Sequence, residues 1–422
     1  MSATVAFTTL GCRLNQADTQ ALQRVLETRG FRTVPLEARP DVVVVNTCTV
    51  TARAELSDKR AIRRAARLSR DGRVVVTGCW AQTSPAEVAA LGGVDLVVGN
   101  ADKARLPDLL AGLTRSSVPR VEVSNIAGAR IEPLAAPVKS ERARAFLKVQ
   151  DGCQHRCAFC VVPLARGASR SLAPAAIEAH ARALVDAGHA EIVLTGVDLT
   201  SYGADLPGTP KLGMLTKQIL RHVPELKRLR ISSIDQVEVD RDLLDLIADD
   251  DRLMPHLHLS LQSGDDLILK RMKRRHSRGQ AVRFCAQVRR LRPDIALGAD
   301  IIAGFPTESE EMFARSQDLV EACGLTFLHV FPYSSRPGTP AARMPQVSGE
   351  VIKERAKRLR ATGEAALQKR LASEIGATRQ VLIESAGQGR TEHFLPVAIA
   401  DETPGAVRAL VIAGNDGARL TV

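Results

Sequence analysis

The sequence predicts an α/β protein: an open parallel-sheet domain, then a second strand–helix domain, then a short all-β module. Three observations carry this. In the first 115 residues short apolar runs alternate with helical stretches, as in βαβ units. From about 143 to 370 the alternation resumes. After 371 only short strand-like runs remain.

In the first domain the strand candidates are Val5–Leu10, Val42–Val45, Val74–Val76 and Leu96–Val98. Helical candidates, Thr19–Arg29 and Ala52–Arg70, lie between them. A cysteine stands just beyond each of the first three strands, in Gly11-Cys12, Thr47-Cys48 and Gly78-Cys79. Ligands of open α/β sheets bind at the carboxyl ends of strands, so these three thiols are expected to converge. Glycine before two of them lets backbone approach a bulky group. Small cysteines also line α/β cores; three in equivalent positions favour a metal site over that reading. Cys285 and Cys323 fall in helix-like segments and read as core thiols.

Ser124 to Lys139, with its Pro-Leu-Ala-Ala-Pro stretch, reads as a linker, and 116–142 is assigned to it as a whole. The second domain, 143–370, offers strands at Ala145–Val149, Ile192–Thr195, Arg228–Ser232, His256–Leu261, Ala296–Ile302 and Phe327–Phe331. Six strands with intervening helices make an open (βα)6 partial barrel, whose site lies at the carboxyl ends of its strands. Cys153, Cys157 and Cys160, spaced C-x3-C-x2-C, follow the first of them. Thiolates suit iron–sulfur chemistry, and a 4Fe–4S cluster usually takes four; three leave one iron open. A zinc site needs a fourth ligand, for which His155 is poorly placed inside the same tight loop, and a disulfide loop is the other alternative. In the last module, 371–422, the strand candidates are Val381–Glu384, Leu395–Ala398 and Ala406–Ile412.

Composition narrows the partners. No apolar run approaches the ~20 residues of a membrane span, and Met1 to Gly11 lacks a secretory n-region, so a cytoplasmic protein is expected. In that compartment cysteines favour metal or redox roles over disulfides. A net charge of +11 points to a polyanion. Two runs concentrate it, Lys59–Arg70 and Lys270–Arg278. Aromatics make up only 3% of the chain, which argues against an extended base-stacking platform.

Taken together these motifs resemble the radical S-adenosylmethionine methylthiotransferases along nearly the whole chain. The matching stretches are Thr8–Cys12 through Asn15, Asn46–Thr51, Thr77–Cys79 through Glu87, the Cys153–Cys160 triplet, Glu191–Gly196, His256–Gly264, Ile301–Glu308 and His329–Ser334. Ala81–Glu87, Arg230–Ile234, Leu269–Arg275 and Pro337–Met344 look most like the branch acting on N6-threonylcarbamoyladenosine in tRNA. The sister branches act on isopentenyladenosine in tRNA or on an aspartate of a ribosomal protein.

The resemblance implies a radical-SAM (βα)6 core and a C-terminal TRAM-like module that grips RNA, a stabilising appendage being the other reading of so short a module. It implies two 4Fe–4S clusters, on Cys12, Cys48 and Cys79 and on Cys153, Cys157 and Cys160. The second cluster would cleave S-adenosylmethionine to a 5′-deoxyadenosyl radical, and the first would carry the sulfur that a second S-adenosylmethionine methylates. It further implies a tRNA anticodon loop as substrate, an electron donor such as a flavodoxin, a sulfur source, and two clusters facing each other across a domain interface; nothing in the sequence demands more than a monomer. Gly196, Asp198, Ser232 and Gly304 resemble the cofactor-contacting region, a structural role in turns being equally open. Phe159 is placed to pack near the cofactor's adenine or to shield the cluster, and Tyr333 to line the base pocket or fill the core. Both basic helix candidates, Lys59–Arg70 and Lys270–Arg278, are expected to hold tRNA phosphates, with Arg271, Lys273, Arg274 and Arg275 the residues whose neutralisation should weaken binding.

Overall fold

A computed structural model describes residues 3–69, 71–115, 118–129, 143–400 and 402–422. Most of the expected linker, 130–142, lies outside them. The chain forms two compact units: 1–138 with 150–172 and 334–339, and 139–149 with 173–333 and 340–422. Two segments of the expected central domain therefore pack with the first sheet.

The first unit is built on a parallel sheet of β1 (Thr4–Thr9), β2 (Arg32–Thr33), β3 (Val42–Thr47), β4 (Arg73–Gly78), β5 (Leu96–Val98) and β6 (Arg120–Glu122), ordered β2-β1-β3-β4-β5-β6. The valines of β3 and β4 are buried on both faces, as a doubly covered parallel sheet requires. Val42, Val44 and Val75 join Leu22 and Leu26 in one core; Val43, Val45, Val74 and Val76 join Ile62 and Trp80 in the other. The covering helices include α1 (Arg13–Thr28) and α2 (Ala52–Leu68), with short α3 (Cys79–Thr83), α4 (Pro85–Ala89) and α5 (Leu106–Leu110). Thr51 caps α2 by accepting the Ala54 N–H at 3.1 Å. A short helix α6 (Val162–Arg166), from the cysteine-loop segment, packs against α3.

The second unit carries the six expected strands, at Arg144–Lys148, Glu191–Thr195, Arg228–Ile231 continued by Ser233–Ile234, His256–Gln262, Ala296–Ala303 and Phe327–Pro332. All pair in parallel and in chain order, interrupted at Ser232. The first and sixth strands do not pair among the described residues, so the barrel is open. Cys285 and Cys323 are buried here, as expected of core thiols.

The C-terminal module is a mixed six-stranded sheet. Its strands are Thr378–Ser385, Gln388–Arg390, Pro396–Ala398, Val407–Val411, Gly414–Asn415 and Leu420–Thr421; the first is longer than its sequence run, Pro396–Ala398 and Val407–Val411 are slightly shorter than theirs, and the other three had no run to mark them. Val381, Ile383, Leu395, Val397, Ile412 and Leu420 fill its core with Leu371 of the preceding helix. It is anchored at the amino ends of the first three barrel strands. Fully buried Glu191 accepts from Arg228 Nε at 2.8 Å and Arg230 Nε at 2.9 Å, with Arg144 Nε at 3.4 Å. Arg228 also donates to the Gln380 carbonyl at 2.9 Å, and Arg230 to the Glu392 carbonyl at 3.1 Å.

Burial alone would raise the Glu191 pKa, but Arg230, Arg228 and Arg144 outweigh it and keep the carboxylate ionised. Glu191→Gln removes the shared counter-ion of Arg228 and Arg230 and leaves Arg144 with Glu384 alone. It is expected to cost about 3–5 kcal/mol, read as a lowered urea midpoint; an unchanged midpoint would refute the anchoring role.

Candidate functional site

The three N-terminal cysteines meet at the carboxyl edge of the first sheet. Cys12 follows β1 at the N-cap position of α1, where its side chain caps nothing. Cys48 follows β3, and Cys79 opens α3 directly after β4. Gly11 and Gly78 both hold positive φ, +90° and +101°. A Cβ at Gly11 would stand 2.9 Å from the Cys48 sulfur, and one at Gly78 would stand 2.4 Å from the Thr47 carbonyl oxygen. Only glycine admits this approach, which brings the thiols together.

All eight cysteines are free thiols. Burial, and next the neighbouring Cys79, pushes the Cys48 thiol up to about 12. Burial raises Cys79 as well, with Arg166 opposing it. Asp58, pushed up to about 7 by burial, accepts the Cys48 N–H at 3.0 Å. Asn100 Nδ2 lies 3.8 Å from the Cys79 sulfur and donates to the Ala165 carbonyl at 2.9 Å. Three convergent soft donors in a glycine-lined cradle, with a polar group aimed at one sulfur, suit a cluster with one open iron.

Cys153, Cys157 and Cys160 lie in a tight loop that is half-buried. Gly152 opens it at φ +76°, where a Cβ would meet the Ala168 carbonyl oxygen at 1.9 Å. Arg156 takes a left-handed φ of +51°, the Cys160 N–H donates to the Cys157 carbonyl at 3.1 Å, and the Cys153 N–H donates to Gly167 at 3.0 Å. The His155 N–H points at the Cys153 sulfur from 3.5 Å.

What ties this loop to the first sheet has no local signature in the sequence. Arg166, 2% exposed at the end of α6, grips Asp151 with Nη1 at 2.9 and 3.0 Å. Its Nη2 reaches Asn15 Oδ1 at 2.6 Å and Asp18 at 3.2 Å. Asn15 in turn donates to the carbonyls of Leu10 at 2.8 Å and Thr47 at 2.9 Å. Those carbonyls lie on the strand ends that present Cys12 and Cys48. Lys103 Nζ completes the cluster against Asp18 at 3.0 Å. Both cysteine sets therefore lie within one compact unit, one hydrogen-bonded chain apart, rather than on opposing domains.

The remaining candidates lie in the second unit. Gly196 and Asp198 follow the second barrel strand, and the Asp198 carboxylate accepts from Ser201 Oγ at 2.6 Å. Ser232 is buried at the break in the third strand, and its Oγ has no hydrogen-bond partner among the described residues. Gly304 follows the fifth strand at φ +74°, its N–H committed to Glu308 at 2.8 Å and its missing Cβ making room for Ile352. Tyr333 is buried edge-on against Phe305, ring centroids 5.7 Å apart.

The expected phosphate-binding run at 271–275 is corrected by the structure. Arg274, 7% exposed, pairs with Asp235 at 2.8 Å; Arg275 pairs with Glu238 at 2.8 Å; Arg271 donates to Thr307 Oγ1 at 2.7 Å. Among the described residues Lys273 alone of the four has no such side-chain contact. Arg271 and Arg274 are thus committed within the fold, whereas Lys273 and Arg275 stay exposed.

Comparison with known proteins agrees with this geometry. Residues 4–99 match the family described as "Uncharacterized protein family UPF0004", and 147–320 match the radical SAM superfamily. The chain is 45% identical to the threonylcarbamoyladenosine tRNA methylthiotransferase MtaB of Rickettsia prowazekii, over 93% of this chain and 90% of that one. It is 39% identical to the protein of the same name from Bacillus subtilis, over 94% and 89%. It is 35% identical to a tRNA-2-methylthio-N(6)-dimethylallyladenosine synthase of Cereibacter sphaeroides, over 93% and 92%. Among solved structures, the radical S-adenosylmethionine methyltransferase TsrM from Kitasatospora setae shares the fold at TM-score 0.59 and 17% identity, over 81% of this chain and 74% of that one. With its cysteine sets and near full-length similarity, the chain belongs to the radical S-adenosylmethionine methylthiotransferase family, on the branch that carries the name MtaB.

Proposed function

We propose that the protein methylthiolates C2 of N6-threonylcarbamoyladenosine in the tRNA anticodon loop. The observation that carries the reading is the convergence of Cys12, Cys48 and Cys79 in the unit that also holds the Cys153–Cys160 loop. The relatives named for this reaction support the substrate. C2 of adenine is neither acidic nor electrophilic, so acid–base groups give no route to it. The two 4Fe–4S clusters and S-adenosylmethionine, when bound, supply the radical chemistry, and the protein supplies positioning and exclusion of water.

Cys153, Cys157 and Cys160 hold one cluster, and Cys12, Cys48 and Cys79 the other. Arg166 and Asn15 fix the backbone that presents them. Gly196, Asp198, Ser232 and Gly304, all at strand ends of the second unit, are the residues assigned to S-adenosylmethionine. The remaining assignments are an electron donor such as a flavodoxin, a separate sulfur source, a monomeric state and a cytoplasmic location. No described helix is long and apolar enough to cross a membrane. The domain roles are sulfur carriage for 1–115, radical generation for 143–370 and RNA contact for 371–422, with the first sheet extended past the expected boundary at 115 by Arg120–Glu122 and joined by 150–172 and 334–339.

The test is mass spectrometry of nucleosides after anaerobic reaction of reconstituted enzyme with tRNA, S-adenosylmethionine, sulfide and reductant. A methylthio gain on threonylcarbamoyladenosine is expected. Gain only on isopentenyladenosine would move the chain to the sister branch. Gain on neither, with S-adenosylmethionine still cleaved, would leave a radical enzyme of another substrate, such as a ribosomal protein.

A further inference from the structure

The two basic runs have different fates. In the second, arginines are consumed by Asp235, Glu238 and Thr307. In the first, Arg60, Arg63 and Arg67 stand exposed along one side of α2, at helical spacing. With Arg115 they line a depression of about 550 Å³ with Gly92 and Gly93 on its wall. None of the four arginines has an ion pair or hydrogen bond among the described residues, whereas Arg64 on the same helix is paired with Glu37 at 2.6 Å. Four uncompensated guanidinium groups around one concavity repel each other unless an anion sits among them. Planar guanidinium forks match phosphate oxygens.

Position identifies the anion. The helix α2 starts beside the cysteine edge, and its last turns, with Gly92, Gly93 and Arg115, lie at the amino ends of β4, β5 and β6. The depression is thus about 20 Å from the cysteine edge, the length of a six-residue strand at ~3.3 Å per residue. That is too far to serve the reacting base. It is within reach of the helical stem behind a nucleotide seated at the cysteines.

We propose that Arg60, Arg63, Arg67 and Arg115 form a seat for backbone phosphates of the tRNA stem. This rests on tRNA being the substrate. The seat positions the RNA without reading its sequence.

The test compares the full-length protein with its R60Q/R63Q/R67Q variant and with R64Q, a control at an already paired arginine. Binding of full-length tRNA is measured between 50 and 200 mM KCl, and methylthiolation by nucleoside mass spectrometry. The triple variant is expected to lower the slope of log K against log salt by about 2. It should raise the KM for tRNA roughly tenfold or more, with S-adenosylmethionine cleavage and kcat unchanged. A triple variant indistinguishable from R64Q overturns the seat. So does a loss of heparin or anionic-vesicle binding without change in the tRNA KM, which would assign the patch to another polyanion. A wild-type protein that methylthiolates isolated threonylcarbamoyladenosine as fast as tRNA removes the tRNA reading itself and the seat with it.

Discussion

Cys48→Ala is expected to leave S-adenosylmethionine cleavage intact while methylthiolation of tRNA disappears. Cys157→Ala should abolish both. The thiols sit in two separate cradles, one at the carboxyl edge of the first sheet and one in the loop opened by Gly152. Removing a direct ligand should exceed the roughly 10–100-fold loss that follows removal of an outer partner of a metal ligand. Cleavage is read as 5′-deoxyadenosine formed, transfer as methylthio nucleoside, and site occupancy as iron per chain before and after each substitution. Iron content should fall by about half in each variant. If Cys48→Ala retained full iron and full transfer, the N-terminal thiols would be core residues and the assignment of two sites would fall.

Arg166→Ala is the second large effect. Arg166 is buried, and its removal takes the ion-pair partner of Asp151 and one partner each from Asn15 and Asp18. Breaking a buried ion pair from one side costs about 3–5 kcal/mol, and the urea midpoint of the apo-protein should drop accordingly. Arg166→Lys keeps the charge but cannot hold Asp151 with one nitrogen and Asn15 with another. It should recover part of the midpoint while still altering the low-temperature electron paramagnetic resonance signals of the reduced clusters. Because Arg166 acts through Asn15 on the backbone of Leu10 and Thr47, it is a positioning residue. Wild-type midpoints and spectra in both variants would show that the loop is held by other means.

The cysteines were legible because their signal is local: a fixed spacing in one case, a place just past a strand in the other. Four strand runs of the first sheet were legible because they are apolar, even three-residue β5 (Leu-Val-Val), whereas β2 (Arg-Thr) and β6 (Arg-Val-Glu) hold one apolar residue between them and leave no run to read. The central strands fell within a residue or two of expectation, since fully buried parallel strands read as apolar runs. Arg166 was invisible because its meaning comes from Asn15, 151 residues away, and Asp18, 148 residues away. The 271–275 run failed for the same reason in reverse. Asp235, 39 residues from Arg274, and Glu238, 37 from Arg275, turn solvent-facing charge into structure. Counting charge cannot separate that from the exposed face of α2; only the identity of the neighbours can.

The allegiance of Gln150–Leu172 bears on how this protein can be cut and recombined. The segment is written between two barrel strands, yet its packing debts are owed to the first sheet. A fragment beginning at residue 143 would carry the Cys153–Cys160 loop without Asn15, Asp18 or α3 to seat it, and the complementary fragment would lack Arg166. Neither half is a transferable cassette. A chimera that exchanges barrels between relatives must carry Asn15, Asp18, Asp151 and Arg166 as one inherited set.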